Sequence, residues 1–291
     1  MRVLTLALIG ILATGEGLAE DIDRSMDADP NGLISISNVA GTVEVAGWSR
    51  NQVEITGTLG DDVEELVFER DGKEIEIKVK TRRLHSNRIS SDLHVKVPSA
   101  SSLEINTVSA EIEVAGVTGE QDLESVSGDI VSAAFSADIN VDSVSGEIEV
   151  SGEGMPARAD LNTVSGDIET ENLAGEISVE SVSGSLFVRS GAFQRATLGT
   201  VNGDIMFHAQ LLDGARLDIE TVNGEVEIEF AGEISARFDI ETFNGGIRNC
   251  FGPEAVRVSK YGPGYELKFT EGDGSGRVTI ETLNGNLRLC R

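Results

Sequence analysis

One short motif returns nine times along this 291-residue chain. It reads Thr-Val-Ser-Ala at 107–110, Ser-Val-Ser-Gly at 125–128, 143–146 and 181–184, and Thr-Val-Ser-Gly at 163–166. It continues as Thr-Val-Asn-Gly at 200–203 and 221–224, Thr-Phe-Asn-Gly at 242–245 and Thr-Leu-Asn-Gly at 282–285. Asn38-Val39-Ala40-Gly41 is a degenerate early copy. The fourth position recurs at intervals of 18, 18, 20, 18, 19, 21, 21 and then 40, the last being about two periods. A unit this short cannot bury its own apolar face, but a stack of such units can.

Apolar residues alternate on both sides of each motif, as in Ile139, Val141, Ser143, Val144, Ser145, Gly146, Ile148 and Val150. Alternation is the period of a strand. The phase shifts at the step from Ser or Thr to Val, which predicts a corner or bulge onto a second face. Glycine after it is expected to supply a positive φ at the bend, at Gly128, Gly146, Gly166, Gly184, Gly203, Gly224, Gly245 and Gly285. A weaker turn signal, Asn172-Leu173-Ala174-Gly175, lies about half a period away.

The expected fold is all-β: a single-stranded β-solenoid, like a parallel β-helix, with coils of about 18–21 residues stacked about 4.8 Å apart. Inward Ile, Leu and Val would form apolar ladders, each buried side chain contributing about 1.5–3 kcal/mol. Ser125, Ser143, Thr163, Ser181, Thr200, Thr221, Thr242 and Thr282 would form one polar column. Ser127, Ser145, Ser165 and Ser183 would begin a second, continued by Asn202, Asn223, Asn244 and Asn284 as an amide ladder. The competing architecture is an antiparallel sandwich of hairpins, because Asn-Gly is a strong hairpin signal. The regular register favours the solenoid.

Open solenoid ends invite edge pairing, and both ends of the chain break the pattern. Residues 63–70 and 73–81 flank Asp71-Gly72, a hairpin expected to cover the first coil. Residues 251–276 interrupt the last two repeats and carry Tyr261-Gly262-Pro263-Gly264-Tyr265, an excursion or terminal cap. The expected organisation is a leader at 1–19, first coils and hairpin cap at 20–97, the solenoid body at 98–250, and an excursion with the last coil at 251–291. Cys250 and Cys290 each fall five residues after a motif glycine. In adjacent coils their Cα atoms would lie about 5 Å apart, within disulfide range. The bond would be worth roughly 4 kcal/mol in the chain-entropy model. The alternative is two free thiols two coils apart.

The leader begins with Met1 and Arg2, continues through an apolar run at 3–13, and ends with small Gly17 and Ala19. That is a secretory pattern, too short for a span of about 20 residues. Export to an oxidising compartment favours the disulfide. No later segment is long and apolar enough to span a membrane.

The chain carries 50 acidic and 23 basic residues, a formal charge of −27. That balance excludes phosphate-backbone binding, so no nucleic-acid partner is expected. The excess belongs to the body: residues 97–245 hold 28 acids and 5 bases. Asp129, Glu147, Asp167, Asp204 and Glu225 each follow a motif glycine, and Glu149, Glu169 and Glu227 sit two positions later. Neighbouring carboxylates about 4.8 Å apart repel by about 0.9 kcal/mol in water, tolerable without metal. The nonapeptide and EF-hand calcium patterns are missing. These rows are therefore expected to form a solvated face rather than a calcium site. Lys78, Lys80, Arg82, Arg83 and Arg88 are expected to form a basic edge that blocks edge growth.

Catalytic signals are lacking. His85, His94 and His208 are scattered, with no zinc spacing. There is no nucleophile elbow and no phosphate loop. The serines recur on every repeat, which marks structure rather than chemistry. Trp48, the single tryptophan, is expected in a core or cap. No cofactor and no catalytic or metal residue is predicted.

The repeated Ser/Thr-Val-Ser/Asn-Gly-Asp/Glu-Ile unit follows a leader and an early Ile36–Val45 segment of the same kind. Together they resemble a family of bacterial β-strand-repeat proteins, provisionally called adhesins, with a domain of unknown function. The resemblance covers about residues 31–291. It implies an exported, periplasmic or cell-surface protein with no catalytic residue to carry over. Bactofilins share Gly-Asp-Ile-like coils but are cytosolic and polymerise, unlike a capped chain with a leader. The expected function is non-enzymatic: cell-envelope interaction with a surface polymer or protein, by a monomeric or weakly associating chain. The alternatives are an envelope-stress sensor or regulator acting through a protein partner, and a polysaccharide-active β-helix enzyme.

Overall fold

The computed structural model describes residues 20–82, 89–259 and 262–291. The leader at 1–19, together with Arg83, His85, Arg88 and Tyr261, lies outside them. Among the described residues there is no helix, and hence none long and apolar enough to cross a membrane. All strands join one continuous hydrogen-bonded sheet that winds into a solenoid-like stack.

Equivalent strands of successive repeats pair in parallel and in register. Val141 of Ile139–Ser143 lies between Leu123 of Gln121–Ser125 and Leu161 of Pro156–Ser165. Beyond the corner, Ile148 lies between Ile130 and Ile168. Two apolar ladders result. One runs from Ile36 through Ile105, Leu123, Val141, Leu161, Val179 and Leu198 to Ile219. The other, on the opposite side of the corner, runs from Val43 through Ile112, Ile130, Ile148, Ile168, Leu186 and Ile205 to Val226. These residues are fully or almost fully buried. Stacking therefore converts the alternation within each repeat into a continuous core. Toward the C-terminal end the core widens to take aromatic rings. Phe193, Phe207 and Phe230 follow one another at centroid distances of 6.0 and 6.2 Å.

At both ends the order of stacking departs from the order of the chain. The Leu33–Trp48 strand packs on Ser102–Ala115 by one edge. Its other edge is covered by Glu74–Thr81 and Ser91–Pro98, which come later in sequence. Outside these lie antiparallel partners: Val63–Asp71 on Glu74–Thr81, Gln52–Leu59 on Ser91–Pro98, and Glu20–Asp27 on Gln52–Leu59. At the other end, the expectation that each repeat stacks on the one before it fails. The Gly276–Asn284 strand enters between Ile205–Asn223 and Ala236–Asn244, pairing in parallel with both. Thr282 thus faces Thr221 on one side and Thr242 on the other. Ala236–Asn244 then receives Tyr265–Glu271 antiparallel on its outer edge, and Phe269 stacks on Phe238 at 4.3 Å. On this face antiparallel strands, rather than bare parallel edges, thus terminate the stack, while beyond the corner the parallel strand Ile247–Asn249, on Leu287–Cys290, comes last.

Cys250 and Cys290 form a disulfide with a Cα separation of 4.9 Å. The bond ties the inserted last repeat to the one it displaced outward.

Candidate functional site

The motif builds the corner in the same way on each level. Its Ser or Thr turns inward and is buried from Thr107 to Thr282. The Ser125 and Ser143 hydroxyl oxygens accept the Gly128 and Gly146 amide N–H at 2.8 and 2.9 Å. Thr200 instead donates to the Gly184 carbonyl at 3.0 Å. The hydroxyls of Thr163, Ser181, Thr221 and Thr282 are buried without a partner.

The motif glycines are needed for a reason other than the expected one. Among the eight, only Gly245 has a positive φ, at 154°. A Cβ on Gly128 would instead lie 1.9 Å from the Ala110 carbonyl oxygen of the neighbouring repeat, and one on Gly166 2.2 Å from that of Gly146. The same contact recurs at Gly146, Gly184, Gly203, Gly224, Gly245 and Gly285. Close approach between repeats, not backbone handedness, excludes a side chain. Positive φ is found at the half-period turn, at Asn172 (56°) and Gly175 (100°).

Beside this corner an amide ladder runs along the surface. Asn223 donates to Asn202 at 2.9 Å, Asn284 to Asn223 at 2.9 Å, and Asn244 to Asn284 at 3.0 Å. The order 202, 223, 284, 244 repeats the inserted stacking. The carboxylates after the glycines also bond from level to level. Asp129 accepts the Glu147 amide at 2.9 Å, Asp167 that of Ser185 at 2.7 Å, and Asp204 that of Glu225 at 2.7 Å. Glu169 and Glu227 pair with Arg189 and Arg288. These acids thus have work within the fold. Two groups place ligand-type atoms within 4.8 Å of one another: His208 with Glu227 and Glu229, and Asp239 with Glu241 and Glu266. A protein cation already serves each, Arg288 on Glu227 and Lys268 against the second group. Glu266 and then Asp239 raise the Lys268 pKa, so it stays charged. Neither group assembles an acid, base and nucleophile. His94 is spent on Glu44 at 2.7 Å. Half-buried Trp48 bonds the Gln52 carbonyl at 2.7 Å beneath the Arg50 and Lys96 cations. At the basic edge Lys80 pairs with Glu65 and Lys78 with Glu76.

The aliphatic residue inside the motif, whose direction the phase shift in the sequence leaves open, does not join the inward ladders. Val108, Val126, Val144, Val164, Val182, Val201 and Val222 point outward, 37–47% exposed, and Leu283 and Phe243 join them at 45% and 54%. Inward rotation of the Ser or Thr before it puts this residue on the convex side of the corner. Single exposed valines are ordinary, but a contiguous apolar line is not. With levels about 4.8 Å apart, nine residues make a ridge of about 40 Å.

At the C-terminal end the ridge becomes the floor of a groove of about 960 Å³. Val182, Val201, Val222, Leu283 and Phe243 lie along it. Val258, Ser259 and residues 262–265 line its other side as a wall. Glu180, Glu220, Glu281 and Glu241, each just before a buried Ser or Thr, form its acidic side. Of these, Glu241 has Lys268 3.5 Å away, while Glu220 and Glu281, on adjacent levels, have no ion-pair partner among the described residues.

Parallel repeats, a ladder core, outward ridge and terminal antiparallel strands define an all-β, solenoid-like repeat protein. A family model described as Toastrack DUF4097 matches residues 31–176 and again 157–289, and the chain belongs to this family. A crystal structure from Parabacteroides distasonis, of a protein provisionally described as lipid binding, is similar in fold. Its TM-score is 0.53 at 14% identity, over 94% of this chain and 98% of that one. Provisionally named adhesins from P. distasonis (TM-score 0.49, 12% identity, 94% and 98% covered) and Bacteroides fragilis (0.46, 10%, 93% and 97%) are more distant. No curated protein matches the chain.

Proposed function

We propose that this protein is a non-enzymatic, extracytoplasmic binding protein that engages a component of the cell envelope, a surface polymer or protein, along its exposed ridge. Its fold in this reading is a single chain wound into coils of 18–21 residues, with hairpins closing both ends. The observation that carries the reading is the outward apolar residue on nine levels, eight aliphatic and one phenylalanine. Exposed aliphatic surface lowers solubility, and nothing in the core requires it, so a contacting surface accounts for its recurrence. The disulfide and the leader-like segment support an oxidising address. The adhesin names of the similar structures agree with it.

Co-sedimentation of the purified protein with isolated cell envelopes tests this. The protein is expected to pellet with envelopes, and the triple variant Val126→Ser, Val144→Ser, Val164→Ser to pellet at least fivefold less at unchanged melting temperature. Equal pelleting of both, or turnover of an envelope polysaccharide, would overturn the reading.

A further inference from the structure

The ridge is not uniform, and its C-terminal end has the features of a more selective site. There the floor gains its two largest apolar side chains, Leu283 and Phe243. It is walled on one side by Val258, Ser259 and residues 262–265 and bounded by Glu180, Glu220, Glu281 and Glu241. Farther along the ridge the equivalent row is relieved by amides: the Asp142 carboxylate accepts from Asn162 at 3.1 Å and from Asn140 at 3.0 Å. Beside the groove no amide interrupts Glu220 and Glu281, which stack on adjacent levels. Two unpaired carboxylates held side by side raise the local negative potential, and a cation bridging them is favoured.

We propose that this groove receives an extended segment of a partner protein in which apolar and basic side chains alternate. This rests on the binding reading above and names its partner chemistry. The apolar side chains sit on the Val222, Leu283 and Phe243 floor, and Lys or Arg side chains reach the Glu220 and Glu281 carboxylates. The five floor levels span about 19 Å, the length of roughly six extended residues at ~3.3 Å each. An anionic glycan or anionic lipid headgroup would meet uncompensated carboxylates, so the charge selects against both. A plain polycation would leave the apolar floor uncovered. Apolar contact and positive charge are therefore both required.

The test is fluorescence anisotropy with a labelled octapeptide of alternating Lys and Val, titrated with the whole protein at low salt. Saturable binding is expected. It should weaken at least tenfold in Leu283→Ser/Phe243→Ser and at least tenfold in Glu220→Gln/Glu281→Gln. Val131→Ser, an exposed valine outside the ridge, should leave it unchanged. All these side chains are exposed, and matching melting curves verify that each variant folds. Equal affinity for octalysine or for alternating Glu and Val would overturn the assignment, as would an equal loss in Val131→Ser or displacement of the peptide by an anionic polysaccharide. If no basic peptide binds while envelopes still pellet the protein, the groove assignment falls alone. If envelopes also fail to pellet it, both readings fall.

Discussion

The middle of the stack and its two ends are made from the same repeat but assembled by different rules. From Gln121 to Asn223 each repeat rests on the one before it, so chain order and stack order coincide. At the ends they part: Glu74–Thr81 and Ser91–Pro98 lie outside the earlier Leu33–Trp48 strand, and Gly276–Asn284 slips inside the earlier Ala236–Asn244 strand. The motif specifies where a residue sits within its level. It does not specify which level comes next, because every copy offers the same Gly, the same inward hydroxyl and the same ladder residues to any neighbour. What fixes the neighbour at the ends is the connecting chain and the antiparallel strands packed outside.

The sharpest way to break this comparison is to truncate the protein after Ser275. If the last repeat were an outer layer, its loss would be mild. Because it lies between two others, we expect loss of cooperative unfolding in the C-terminal third and a shift to oligomers, read by thermal denaturation and size-exclusion chromatography. Single melting and an unchanged elution volume would refute the inserted order. A smaller effect separates close approach from backbone conformation. Gly166→Ala, whose new Cβ would meet a carbonyl oxygen at 2.2 Å, should lose about 1–3 kcal/mol in urea denaturation. Gly199→Ala, which meets nothing nearer than the Glu180 Cγ at 4.0 Å, should change stability by less than about 0.5 kcal/mol. Equal losses would remove close approach between repeats as the reason for the motif glycine. The smallest effect is at the amide ladder. Asn223→Ala removes one bond to Asn202 and one from Asn284, both exposed, and should cost about 0.5–1.5 kcal/mol. A measured change near zero would show that water replaces the ladder.

The sequence made the level legible and left the surface hidden. Strand alternation, the corner at Ser or Thr, and the spacing of Cys250 and Cys290 all follow from periodicity, which is local information. The outward direction of the motif Val was not legible because the phase shift leaves it open, and only the inward turn of the hydroxyl residue beside it decides it. The carbonyl contact at the glycines was missed because it belongs to two repeats at once, and no single repeat displays it. The groove was missed for a similar reason. Its floor comes from five motifs, but its wall comes from Val258, Ser259 and residues 262–265, whose position depends on the antiparallel strand beginning at Tyr265.

The inserted repeat also imposes a timetable on biogenesis. As the chain emerges from N- to C-terminus, Ala236–Asn244 is made before the strand that will separate it from Ile205–Asn223. It must either wait undocked or leave a provisional seat on Ile205–Asn223 when residues 276–284 arrive. The groove, whose floor needs both Leu283 and Phe243 in place, can therefore mature only at the close of synthesis, once the Cys250–Cys290 bond can form.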